Sequence, residues 1–331
     1  MKKLTSSWKS SIRKGSFNRR DSQFRHWVTA DGNAGACGDS GFKAEADRYH
    51  LYISLACPWA HRTMIFRKLK GLEKLISVSV VHPDMFEQGW TFEHNEQSER
   101  DYQTTGDTLY QRNYLSELYN SCAPNYTANI TVPVLWDKQR QTIVSNESSE
   151  IIRMFNNAFN DITDNDLDLY PKHLREEIDK INEPIYHSIN NGVYKTGFAT
   201  TQNAYTENSV ALFKTLAELD LRLSRQRYLV GDQITEADWR LFTTLIRFDA
   251  VYHTHFKCNT RLIKEYPALY QYMLELYQQP GISETVNIKH IMRHYYASHR
   301  SLNPYGIVPL GHQQDWETPH NRNQLPTQVT S

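Results

Sequence analysis

The chain has 331 residues, with 37 Lys and Arg against 37 Asp and Glu, so no overall field draws it to nucleic acid, an anionic membrane or an acidic partner. That length is long for one core and comfortable for two domains, and the charge balance favours small-molecule or protein ligands. Four cysteines at positions 37, 57, 122 and 258, without repeated spacing, form neither a disulfide framework nor a zinc site and fit a reducing compartment. The basic N-terminus "MKKLTSSWKSSIRKGSFNRR" lacks the apolar centre of a secretory signal, and no segment approaches an uncharged membrane-spanning length. A cytoplasmic protein is expected, in which the sequons at Asn125, Asn129 and Asn146 carry no meaning.

Residues 1–46 are polar and glycine-punctuated. Their "DGNAGACGDSG" has neither a preceding strand nor a following helix, so it reads as loop in an N-terminal extension and not as a nucleotide fingerprint. At "YHLYISL" the texture changes: Leu51, Ile53 and Leu55 alternate as in a strand. Pro58 then opens a helical pattern through Met64, Ile65 and Leu69 that Gly71 stops. "LISVSVVHP" is a second strand, "VPVLWD" and "TIVSN" are a pair joined by "KQRQ", and "SSEIIRMFNNAF" is a helix opened by serines. Residues 83–130 are too weakly periodic to assign. Residues 47–160 thus spell β-α-β, β-β-α, and the acidic, proline-ended stretch at 161–172 reads as a solvated linker. From 173 to 302 the apolar residues recur at three and four, which predicts an all-helical domain. The tail, 303–331, is polar and proline-bearing, and is expected extended or partly disordered, or packed across a dimer partner.

Within this frame Cys57 stands between a strand and the proline that starts a helix. Unpaired backbone N–H groups and the macrodipole favour a thiolate at a helix N-terminus, and His61 and Arg62 in the first turn add positive potential. A redox dithiol would place its resolving cysteine at position 60, which is Ala60, so the thiol is read as waiting for a sulfur supplied in solution. Farther on, Glu147 and Ser148 open the helix of "SNESSEI", where a carboxylate can bind an amine and a hydroxyl a carboxylate, although capping alone also accounts for a serine there. Thr235 and Asp238 in "LVGDQITEADWRLF" make a capping-box-like pair whose role is folding. His290 and His294, and His253 with His255, lack a nearby carboxylate and read as solvated or capping histidines, so no metal is expected. Cys37, Cys122 and Cys258 have no helix-start context.

These features in this order resemble a thioredoxin-like domain followed by the helical domain of the cytosolic glutathione transferases. "ACPWAHRT", "GW", "TVPVLWDK", "IVSNESSEIIRMFN", "NNGVYKTGFA", "RFDAVYH" and "HYY" together resemble the xi class, the glutathionyl-hydroquinone reductases, over residues 15–315. The resemblance implies an α/β plus all-α architecture with glutathione as co-substrate. Cys57 is then the nucleophile, Trp90, Val132, Glu147 and Ser148 hold glutathione, and Tyr194, Tyr252 and Tyr296 face the aromatic substrate, with Tyr194 and Tyr296 taking part in catalysis. In thioredoxin-like folds the bond between residues such as Val132 and Pro133 is cis, and the residue before the proline pairs with the thiol peptide. All three tyrosines are expected in the helical half. The resemblance further implies a two-fold dimer through the helical domain, to which "YPALYQYMLELYQQ" would offer spare apolar surface. A cation for the glycine carboxylate of glutathione stays open between Arg100, Arg112 and several lysines, and Asn129 stands where a basic residue is common in the class. Two other readings share the Cys-Pro start: an omega-like thioltransferase or dehydroascorbate reductase, and a transferase fold kept as a non-enzymatic binding module.

Overall fold

The computed structural model describes residues 12–13, 15–19, 21–124, 126–311 and 315–325. The start of the basic N-terminal stretch, the sequon at Asn125 and the end of the tail lie outside them. The described residues of 20–168 and 284–306 form one compact unit, and those of 8–19, 169–283 and 307–331 form the other.

The strands among the described residues are β1 (Ile12–Arg13), β2 (Ser16–Phe17), β3 (Tyr49–Ile53), β4 (Ile76–Val80), β5 (Met85–Phe86), β6 (Gly89–Trp90), β7 (Val134–Asp137) and β8 (Thr142–Ser145). Four of them make the sheet of the first unit in the order β4-β3-β7-β8, with β3 parallel to β4 and antiparallel to β7. All five residues of β3 are buried, so the strand is covered on both faces. The α-helices of this unit up to residue 163 are α1 (Pro58–Leu69), α2 (Glu96–Tyr102), α3 (Leu115–Cys122), α4 (Ser148–Asn157) and α5 (Asn160–Thr163). α1 packs on α4 and links the parallel pair β3 and β4, the local consequence of an apolar alternation followed by a proline at the first helical position.

Residues 22–26, read from the sequence as loop, run antiparallel along the outer edge of β8. Arg25 bridges Ser145, the His26 amide donates to the Val144 carbonyl at 2.9 Å, and the Asn146 amide donates to the Phe24 carbonyl at 3.2 Å. An edge strand leaves a row of unpaired amides and carbonyls, and a segment with no periodicity of its own can satisfy them. The unassigned residues 83–130 hold the short hairpin β5–β6 with α2 and α3; α3 buries Leu115, Leu118 and Tyr119, while polar anchors organise α2 and the turn after it. Asn95 and Ser98 cap α2 reciprocally, and the Asp107 carboxylate accepts from the Tyr52 hydroxyl and from the amides of Leu109, Tyr110 and Arg112. The acidic stretch at 161–172 is half exposed, and the carbonyls of Asn165 and Leu167 accept from the buried Lys70 ammonium at 2.7 and 2.6 Å.

Apart from the short β1–β2 pair, the described part of the second unit is helical: α6 (Arg175–Pro184), α7 (Gly192–Gly197), α8 (Gln202–Leu223), α9 (Glu236–Arg247), α10 (His253–His255) and α11 (Pro267–Tyr277), with π-helical turns at Ile185–Asn190 and Phe248–Tyr252. The expected capping partner Asp238 is fully buried. Its carboxylate accepts from the Thr235 amide and hydroxyl at 2.7 and 2.9 Å, the Leu229 amide at 2.9 Å and the Tyr272 hydroxyl at 2.7 Å. α11 does not offer the spare apolar surface expected of it: Leu269, Tyr272, Met273, Leu274 and Leu276 are all buried within the molecule.

The last α-helix among the described residues, α12 (Ile288–Ser298), is packed into the first unit, although the sequence pattern grouped it with the helical domain to residue 302. Arg293 forks onto the Asp84 carboxylate at 2.7 and 2.6 Å, the Ser298 hydroxyl accepts from the Met85 amide, and His294 Nδ1 donates to the Pro83 carbonyl at 2.7 Å. Tyr296 therefore belongs to the thioredoxin-like unit, while Tyr194 and Tyr252 remain in the helical one. Period alone identifies a helix but not which core it covers.

Candidate functional site

Cys57 is the N-cap of α1, in extended conformation (φ −75°, ψ 119°), with Pro58 at the first helical position. Its amide donates to the Ser54 carbonyl at 3.1 Å, and its own carbonyl receives the first helical bond from His61 at 2.9 Å. The side chain is partly exposed, with Sγ 3.5 Å from the carbonyl oxygen of Val132, and the Val132–Pro133 bond is cis. The loop entering β7 therefore meets the start of α1 at the thiol. The other thiols contrast with it. Burial pushes the Cys122 thiol up and the fully buried Cys258 thiol far up, and burial together with the neighbouring Glu150 carboxylate raises Cys37.

Glu147 is the N-cap of α4, its carboxylate accepting from the Ser149 amide at 3.1 Å and hydroxyl at 2.9 Å and from the Ser22 hydroxyl at 3.0 Å. Burial pushes this carboxyl up, but the Ser149 and Ser22 donors and the nearby Arg62 charge outweigh it and hold it below its ordinary range. Arg62, buried on α1 and 4.6 Å from the Trp59 ring centroid, thus links the start of α1 to that of α4 electrostatically. Ser148 is buried at the first position of α4. Ser22 escaped the sequence reading because its segment carries no pattern; only its pairing along β8 brings it here. Trp90, on β6, stacks on the His294 ring of α12 at 4.8 Å and 19°.

Of the solvated or capping roles expected for His290 and His294, solvation does not hold: both are buried and hydrogen-bonded within the first unit. Among the described residues, no group of three or more His, Cys, Asp or Glu side chains is placed to hold a metal ion. Of the two named arginines, Arg112 lies 4.1 Å from the Tyr110 ring centroid and 3.8 Å from Asp107, and Arg100 lies exposed on α2.

In the second unit Tyr194, half-buried on α7, packs 6.1 Å from the fully buried Tyr252 and 5.4 Å from Phe256, while Tyr252 stacks on Phe256 at 5.5 Å and 15°. Both tyrosines lie in or just after a π-helical turn, a widening that re-aims the residues behind it. The Arg19 guanidinium lies 5.4 Å from the Tyr194 ring centroid. Tyr296, on α12, is buried and separate from this cluster by unit. No helix among the described residues is long and apolar enough to cross a membrane.

A thiol at a helix start, a cis-proline loop against it and a second helix capped by a carboxylate define a thioredoxin-like thiol site followed by a helical domain. Residues 56–158 match the model for the glutathione S-transferase N-terminal domain, and residues 202–275 match the model for its C-terminal domain. The chain belongs to the glutathione S-transferase family. Within that family it groups with the Xi class. It is 55% identical over 309 residues, 93% of each chain, to the glutathionyl-hydroquinone reductase YqjG of Escherichia coli K12. The glutathione-bound structure of YqjG superposes with a TM-score of 0.88 over 91% of this chain and 96% of that one. The glutathionyl-hydroquinone reductase PcpF of Sphingobium chlorophenolicum is 48% identical over 300 residues, 91% of each chain. The Xi transferase of Phanerochaete chrysosporium is 46% identical, with a TM-score of 0.88 over 96% of this chain and 100% of that one.

Proposed function

We propose that this protein reduces glutathionyl-hydroquinones to hydroquinones at the expense of glutathione, with Cys57 as the nucleophile. The observation that carries the reading is the placement of Cys57: a partly exposed thiol capping α1 beside the Val132 carbonyl, in a chain whose relatives bear that activity in their names. The Cys57 thiolate attacks the glutathione sulfur of the conjugate, a Cys57–glutathione disulfide forms, and the ring carbon–sulfur bond breaks. The electron pair stays on the ring carbon, which takes a proton and leaves as hydroquinone. A second glutathione thiolate then attacks the glutathione sulfur of that disulfide, releasing oxidised glutathione and the Cys57 thiolate.

Glutathione is held by Val132 as a strand partner, by Glu147 and Ser148 at the start of α4, and by Trp90. On the resemblance, Tyr194 and Tyr296 are assigned to protonation of the aromatic ring through their hydroxyls and Tyr252 to substrate binding. The protein works in the cytoplasm as a homodimer, which sedimentation at micromolar concentration tests: a monomer alone would refute that assembly.

The test of the activity is turnover of a purified glutathionyl-hydroquinone with glutathione, following hydroquinone and oxidised glutathione together, beside dehydroascorbate as the competing substrate. One oxidised glutathione per hydroquinone, with dehydroascorbate much the poorer substrate, is expected. Preference for dehydroascorbate, or no turnover of either, overturns the reading. Tyr194→Phe should lower kcat roughly ten- to a hundredfold and leave glutathione affinity in place, the size of a lost hydroxyl that assists proton transfer to the ring.

A further inference from the structure

The turn that carries Cys57 is gripped at both ends by one stretch of the first unit, Thr285 to His290. His290 is fully buried. Its Nδ1 lies 2.8 Å from the Tyr102 carbonyl and its Nε2 3.2 Å from the Ser54 hydroxyl. A carbonyl oxygen only accepts, so Nδ1 bears a proton; in the neutral ring Nε2 is then an acceptor, and the Ser54 hydroxyl donates to it. With its proton so directed, Ser54 Oγ turns its lone pairs to the Ala56 amide at 3.2 Å, and the Ser54 carbonyl takes the Cys57 amide at 3.1 Å. Two consecutive amides, the second that of Cys57 itself, therefore hang from one serine whose rotamer His290 fixes. Four residues beyond Cys57, His61 Nε2 meets the Thr285 hydroxyl at 2.8 Å, so the first turn of α1 is held from the same stretch.

We propose that His290 is a positioning residue for Cys57, acting through Ser54 to keep the thiol-bearing turn in register with the N-terminus of α1. The proposal rests on Cys57 being the reactive thiol. A helix dipole favours a thiolate only within the first turn and along the axis, so a small rotation of the Ser54–Cys57 turn weakens the favourable field and misaims the sulfur. Nothing in the local sequence would associate the two, because Ser54 and His290 are 236 positions apart.

The two ring nitrogens allow the roles to be separated. His290→Asn keeps a donor where Nδ1 stands, for Tyr102, but cannot reach Ser54; His290→Gln reaches Ser54. If His290 acts through Ser54, the Asn variant raises the Cys57 thiol pKa by about one unit, the net effect of one hydrogen bond. It also lowers kcat on the order of tenfold, with the glutathione KM little changed. Gln restores both quantities, and Ser54→Ala reproduces the Asn variant.

The thiol pKa is read from the pH dependence of iodoacetamide alkylation with Cys37, Cys122 and Cys258 replaced by Ser, and kcat and KM from glutathionyl-hydroquinone turnover. Unchanged thiol pKa and kcat in His290→Asn and Ser54→Ala overturn the proposal, even if both variants melt earlier. Should the Asn variant not fold, Ser54→Ala decides alone. If Cys57→Ser retains turnover, the underlying mechanism falls whatever His290 does. If Cys57→Ser is inactive while the Ser54 and His290 variants behave as wild type, only the positioning role falls.

Discussion

The starts of α1 and α9 use the same physical device to opposite ends. Each helix is 12 residues long and begins with a positive macrodipole end and orphan amides. At α9 the device is closed: a buried carboxylate, Asp238, collects the Thr235 and Leu229 amides and two hydroxyls, so the field is consumed in folding. At α1 the N-cap is Cys57, partly exposed and turned to the Val132 carbonyl, and the same field is left to act on a thiol. α4 stands between them. Its cap Glu147 is filled by Ser149 and Ser22, yet its first turn carries the proposed glutathione contacts. On the proposed reading, the start of α1 serves chemistry where that of α9 serves folding, and the start of α4 serves both.

The contrast is broken most severely at the caps themselves. Cys57→Ser should abolish turnover, by about a thousandfold or more, with little change in melting temperature, while Cys37→Ser, Cys122→Ser and Cys258→Ser remain active. Initial rates and thermal melts of the four variants check this, and turnover in Cys57→Ser would count against the open start. Asp238→Ala should do the reverse. Four buried donors lose their acceptor, which costs about 3 kcal/mol or more in stability, while turnover per folded molecule survives. Urea unfolding followed by fluorescence measures the loss, and a change below about 1 kcal/mol would mean that the box is not what holds this helix.

Glu147→Gln sharpens the intermediate case. Removing the charge at the start of α4 should weaken glutathione binding roughly tenfold, the worth of a charge-assisted hydrogen bond, with kcat at saturation nearly unchanged. Calorimetric titration of glutathione tests it, and equal affinity would remove Glu147 from the site.

The smallest effect distinguishes the two carboxyls by pH. Glu147 is held below its ordinary value of 4.5, so its contribution to stability is full above that pH and is lost as pH falls through the folded value. Asp238 is held above its ordinary 3.8, chiefly by burial, against the four donors it accepts from. Its contribution is full below 3.8 and declines as pH rises through the folded value. Acidification from neutral pH should therefore shrink the stability gap between wild type and Glu147→Gln and widen that between wild type and Asp238→Asn. Parallel gaps in denaturant titrations across this range would contradict the opposed shifts.

What the sequence by itself determined is what rests on neighbours within a turn or two. The alternation of Leu51 and Ile53, the proline that opens α1 behind Cys57, the serines that open α4 and the Thr235–Asp238 pair are all local, because capping, proline geometry and side-chain period act over about four residues. What only the tertiary structure decided depends on partners far along the chain. It laid Ser22 to His26 beside β8, buried Tyr252 beneath Tyr194, spent the apolar face of α11 inside the molecule, and seated α12 in the first unit with His290 on Ser54 and His294 on Trp90. In these cases the decisive energy is the satisfaction of buried polar groups and the covering of an exposed edge or ring by whichever segment the topology delivers. A sequence reports a segment's own pattern, but not the surface that will complete it.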